Sequence, residues 1–205
     1  EGKIMSLMGT VIILFVVFFS IILHEFCHGY AAYLNGDETA KRMGRLTFNP
    51  IPHIDPVSTI FLPVMLIILQ SPVVIGMAKP VPINPFNFRD YNRGMLQVGL
   101  AGPLSNMIFG TLLAFLSRFA GDGLVRGVLY YAGTINFILA FFNLVPIPPL
   151  DGSRVLSVFM PRNLRYRYDR LERYGIFIVI GLLLIRGLEW LFPLSENIAS
   201  AIAGL

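Results

Sequence analysis

Twenty consecutive residues, Ile4–Leu23, carry no charged side chain, and the run ends directly on His24-Glu25-Phe26-Cys27-His28. Roughly 20 apolar residues is the length an α-helix needs to cross the hydrocarbon core of a bilayer. In that medium every backbone N–H and C=O must be satisfied within the protein, which leaves a helix as the form for such a run. Ionisable groups at that depth cost at least a few kcal/mol, so two histidines and a glutamate there need a shared function.

The rest of the 205-residue chain is of the same kind. Hydrophobic residues make up 55% and charged residues 14%, against about 25% charged in a soluble domain. The net charge of +4 is spread over loops between apolar runs. It reads as a topology signal and excludes a nucleic-acid partner. Four apolar stretches read as spans: 4–34, 92–120 with Gly102-Pro103 as a kink, 124–145 and 172–192. Residues 57–77 are apolar but broken by Pro63 and Pro72, residues 153–170 are arginine-rich, and 194–205 read as an interfacial tail. Residues 44–49 alternate in the manner of a strand. The expected fold is an all-α polytopic membrane protein with about four full transmembrane helices, a re-entrant segment and short membrane-associated strands. It forms one domain over 1–205: a catalytic core over 4–160, then a basic segment, last span and tail over 161–205.

His24 and His28, spaced i, i+4, lie one above the other on a helix and can share one cation. Glu25 lies about 100° around the helix from His24, near such a cation without binding it. The order matches the His-Glu-x-x-His pattern of zinc proteases, in which zinc brings the pKa of a water to about 7 and the glutamate takes its proton. A catalytic zinc takes a third protein ligand, and no further histidine or glutamate follows at the usual spacing. The best remaining candidate is Asp151, in Asn143-Leu144-Val145-Pro146-Ile147-Pro148-Pro149-Leu150-Asp151-Gly152, where prolines unwind a helix end and Gly152 permits a sharp turn.

The two outer motifs, with Gly102-Pro103-Leu104-Ser105-Asn106 between them, resemble the site-2 protease family of intramembrane zinc metalloproteases. The resemblance covers residues 4 to about 160. It implies one Zn2+ per chain, held by His24, His28 and Asp151, with Glu25 as general base and Asn143 contacting the substrate backbone or the developing oxyanion. Transmembrane protein substrates in a lipid bilayer would be the partners, and a regulatory membrane partner could dock on the arginine cluster. The alternative is a membrane metal transporter or binding protein using the same ligands. Aspartyl catalysis through Asp55 and Asp151 leaves both histidines unexplained, and Ser105 lacks a serine-protease context.

For Asp151 to meet the histidines, the C-terminal ends of spans 4–34 and 124–145 must lie on one membrane side. Residues 57–91 are therefore expected to enter and return, with 79–84 extended. That arrangement gathers the basic residues of 41–45, 79–93 and 154–173 on one side, 12 of the 16. By the positive-inside rule the catalytic end faces the cytoplasm and the N-terminus lies outside. In a prokaryote the location would be the cell membrane. An exposed strand, 44–49 (Leu46, Thr47) or 79–84, is a candidate for holding unwound substrate by backbone pairing. Asn106 and His53 are further candidates near the site, each with a structural reading beside the functional one.

Overall fold

Helix α1 (Leu7–Leu34) realises the uncharged run. A computed structural model describes residues 7–61, 64–65, 68–69, 78–121 and 123–205. The outer face of α1 exposes Met8, Val11, Leu14 and Phe15, side chains suited to lipid. Its inner face buries polar side chains among Ile13, Ile22 and Ala32. Ser20 satisfies its hydroxyl on the carbonyl of Val16, 2.7 Å away, and His24 and His28 follow on the same helix. The helix ends at Gly36, whose φ of 106° lies in the left-handed region open to glycine. After it come the short helix α2 (Thr39–Arg42), a 3-10 turn at Ile51–His53 and a π-helical turn at Pro56–Phe61.

Helix α3 (Tyr91–Ser117) starts where Asp90 accepts the Arg93 N–H at 2.8 Å, an N-cap that satisfies an otherwise orphaned donor. It is the spine of the molecule, and its glycines admit the neighbours. A side chain at Gly94 would strike Phe88, one at Gly99 would strike the backbone of residue 151, and one at Gly110 would strike helix α4 (Leu124–Leu144) at Gly133. Small residues at such crossings let membrane helices approach closely, where dispersion contacts carry association.

Pairings along α3 fix the directions. Asn35 accepts the Arg89 N–H at the end of α1, and Val98 lies against His28, so α1 and α3 are antiparallel. Gly110 meets Asn136 and Gly133 meets Ala114, so α3 and α4 are antiparallel as well. Helices α1 and α4 therefore run the same way, and their C-terminal ends share one side, as the site requires. The connection from Gly36 to Asp90 leaves and rejoins that side. How deep it reaches turns on residues 62–63, 66–67 and 70–77, so the expected re-entrant passage lies largely outside the described residues.

After α4 the chain reverses through Val145–Leu150 into α5 (Asp151–Val158), followed by α6 (Arg162–Asp169), α7 (Glu172–Leu184) and α8 (Leu191–Ala203). Arg165 ties α6 back to the end of α5 by donating to the carbonyls of Ser157 and Val158.

Among the described residues, three helices are long and apolar enough to cross a membrane, at Val11–Leu34, Tyr91–Ser117 and Leu124–Leu144. The expected fourth, 172–192, is not one helix. Its 13-residue α7 is about 20 Å long, too short for a core of about 30 Å. The break falls at Arg186 and Gly187, where Arg186 takes a φ of 60° and pairs with Glu189. The expected tail is also different. Helix α8 packs on α3 and α4, with Ala199 in one buried cluster with Ala114 and Phe137, and Ser200 hydrogen-bonded to Tyr130 at 2.9 Å. Ser195, Ala199 and Ala203 form its buried stripe. No strand occurs among the described residues. Residues 44–49 form a turn end and a bend over 46–48, and 79–84 run without a ladder partner, because Pro80 and Pro82 have no N–H to give one.

Candidate metal centre

His24 and His28 meet edge to face on the inner face of α1, buried, with ring centroids 4.5 Å apart. Asp151 enters from the first position of α5. Its approach depends on Gly152, whose Cα sits against the last carbonyls of α4; a side chain there would lie 2.1 Å from the Leu144 oxygen. Glycine serves close approach at this point, and its backbone is ordinary helix, where the sequence had suggested a sharp turn. The Nε2 atoms of His24 and His28 are 2.9 Å apart, and each is 3.1 Å from Asp151 Oδ2. Three potential ligand atoms on two distant stretches of chain thus converge on one point.

The tautomer of His28 tests whether a cation fits there. Its Nδ1 lies 2.7 Å from the Val98 carbonyl, an oxygen that can only accept, so Nδ1 carries the proton. In the neutral ring Nε2 is then a bare lone pair directed at Asp151 and His24. Imidazoles that ligate metals are held in this way by a backbone carbonyl at the other nitrogen. Two nitrogens and a carboxylate oxygen are a set that zinc takes, with tetrahedral ligand atoms about 3.3 Å apart. The observed separations are close to that.

Other groups hold the three in place. Arg154, one turn along α5, reaches Asp151 Oδ1 at 3.3 Å and leaves Oδ2 for the imidazoles. Glu25, half-buried, accepts the Val81 N–H at Oε2 over 2.7 Å. The extended segment that supplies this donor is pinned along its length. The Lys79 N–H donates to the His53 carbonyl, the Lys79 carbonyl accepts from Arg45, and the Asn84 N–H donates to Asp37 Oδ2. Val98, Arg154 and Val81 were missed in the sequence. The first and last act through backbone atoms, which leave no residue-type signal; Arg154 had one, its i+3 spacing from Asp151.

The remaining candidates are placed as follows. Asn143 stands half-buried at the end of α4 and donates to its own helix at Leu139. His53 is fully buried, with Nε2 on the Thr47 carbonyl, and braces two loops. Leu46 packs toward Gly29 of α1, and Thr47 accepts the Asn49 N–H. Asn106 is buried in α3, one turn from Gly102, with no amide partner among the described residues. None of these five side chains hydrogen-bonds to His24, His28 or Asp151 among the described residues. A cavity of about 340 Å3 opens beside the centre, lined by Ile83, Met95, Val98, Pro149 and Arg154 among others.

Comparison with known proteins agrees with this chemistry. The model of peptidase family M50 matches residues 117–186, a stretch that contains Asn143 and Asp151. A Bacillus subtilis protein named "Putative zinc metalloprotease YwhC" is 36% identical over 192 residues, covering 87% of this chain and 81% of the relative. "Putative zinc metalloprotease Rip2" of Mycolicibacterium smegmatis is 30% identical, covering 85% and 68%. The zinc metalloprotease MJ0392 of Methanocaldococcus jannaschii is 29% identical, over 75% of this chain and 36% of the relative. No solved structure matches the chain significantly.

Proposed function

The chain belongs to peptidase family M50, the site-2 protease family of intramembrane zinc metalloproteases, and from that premise we propose that His24, His28 and Asp151 hold one zinc ion and Glu25 is the general base. The convergence of the three ligand atoms within 3.1 Å of one another carries this reading. Family membership favours hydrolysis over the metal-carrier alternative.

Bound there, zinc supplies Lewis acidity that polarises a scissile carbonyl and acidifies a water. The protein does the rest. Val98 fixes the His28 ring, and Arg154 keeps Asp151 presenting a single oxygen. The Val81 amide fixes one oxygen of Glu25, leaving Oε1 to take the proton of the attacking water and pass it to the leaving amine. Asn143 turns its amide away from Leu139 to hold substrate backbone beside the reacting carbonyl. The substrate is a transmembrane segment locally unwound, because a helical peptide bond shields its own carbonyl by hydrogen bonding. The shared end of α1 and α4 faces the cytoplasm, where the basic residues gather, and the exposed arginines of α6 face anionic lipid.

Replacing Glu25 with Gln tests the mechanism on the purified protein in bilayers with a transmembrane substrate. Cleavage is expected to fall by about 10³-fold or more while zinc content stays at the wild-type level. Cleavage at the wild-type rate would remove Glu25 from the chemistry.

A further inference from the structure

Helix α3 lies against the metal centre through Gly102. A carbon added at its Cα would lie 2.4 Å from His28 Nε2, 2.5 Å from His24 Nε2 and 2.6 Å from His24 Cε1. Among the described residues from Gly29 onward, no other glycine would have its nearest obstructions at ligand nitrogens. Zinc–imidazole bonds are about 2.0–2.1 Å long, so the side-chain volume absent at Gly102 is nearly the volume that an ion bonded to both nitrogens fills. We propose that Gly102 is a positioning residue of the metal centre: its bare Cα keeps the cation's place open, and one methyl group there excludes the cation. This rests on His24 and His28 being the ligands.

Both sides are held by contacts that displacement would break. The His28 ring is held to α3 itself, through Nδ1 and the Val98 carbonyl at 2.7 Å, so it moves with the helix that carries Gly102. The His24 ring stands edge-on against His28, interplanar angle 84°. Withdrawal of helix α3 would break its close packing on Phe88 at Gly94, on Val155 and the Asp151 carbonyl at Gly99, and on Gly133 of α4 at Gly110. An added methyl group would therefore have to displace either a closely packed helix or two rings held through Nε2 to Asp151 and to each other.

The test compares Gly102→Ala with Gly110→Ala, a glycine crowded to 3.0 Å at the α3–α4 crossing. Zinc affinity, measured by competition with a chelator, is expected to fall at least about 100-fold in Gly102→Ala and to stay within a few-fold of wild type in Gly110→Ala. Because Gly102→Ala could fail to fold, it is also placed in a His24→Ala/His28→Ala background and unfolded in EDTA. The drop in unfolding midpoint caused by the added methyl group is expected to vanish largely once the imidazoles are gone. Wild-type zinc affinity in Gly102→Ala, or an equal midpoint drop or failure to fold in both backgrounds, overturns the proposal. Zinc retained at full affinity by His24→Ala/His28→Ala would instead overturn the ligand assignment beneath it.

Discussion

Asp37 is fully buried, yet four donors meet its carboxylate: the N–H and hydroxyl of Thr39, the Asn84 N–H and the Asn87 amide. Burial pushes the carboxyl up, but the bonds from Thr39, Asn84 and Asn87 outweigh it and hold it below the ordinary value of 3.8. A carboxylate lowered on folding contributes stability that is present above its ordinary value and is lost as pH falls through the lowered one. Asp37→Asn is therefore expected to lower the unfolding midpoint by several degrees at pH 7, about 2 kcal/mol, and to flatten its fall below pH ~4; an unchanged profile would contradict this. At this scale the sequence was most legible where chemistry needs a rare residue in a costly place. His24, Glu25 and His28 stand out against an uncharged helix, and Asp151 against a proline-broken end. Asp37 carried no such signal, because its partners arrive from 39 to 87 and two of its four contacts are with backbone N–H groups.

Between residue and molecule stands the extended segment around Val81. It lies on α1 with the Val81 side chain against Gly29 and its N–H on Glu25. Its prolines were readable as extended chain, whereas one of its partners was not: 79–84 was a candidate for pairing with substrate, and the Val81 N–H donates to Glu25 of α1. Val81→Pro keeps an extended backbone while removing that donor. Turnover of a transmembrane substrate should fall about tenfold or more with zinc content unaltered, and unaltered turnover would show that the amide does not orient Glu25. The same limit explains the last helices. Hydropathy reports that residues 172–203 are apolar, but it cannot separate a face that meets lipid from one that meets protein. Small residues at 195, 199 and 203 mark the packed face of α8, a pattern that reading for length passed over.

For the molecule as a whole, the paired directions of α1 and α4 decide whether a site can exist. That relation was legible by argument: ligands at two helix ends must share a side, and a full crossing with no return would hold them about 30 Å apart. Cysteine labelling in intact cells tests it in a Cys27→Ser background. Asn49→Cys and Arg162→Cys should react only from the cytoplasmic side, and Gly121→Cys, at the turn between α3 and α4, only from the other. Labelling of Asn49→Cys and Arg162→Cys from different sides would break the topology.

One ion held jointly by α1 and α5 is the centre of the proposed site, and the zinc content of the purified protein measures that directly. Wild type is expected to carry one zinc per chain, and Asp151→Ala to carry less than about a tenth of that while its helices remain folded by circular dichroism. A folded Asp151→Ala that keeps its full zinc would contradict it.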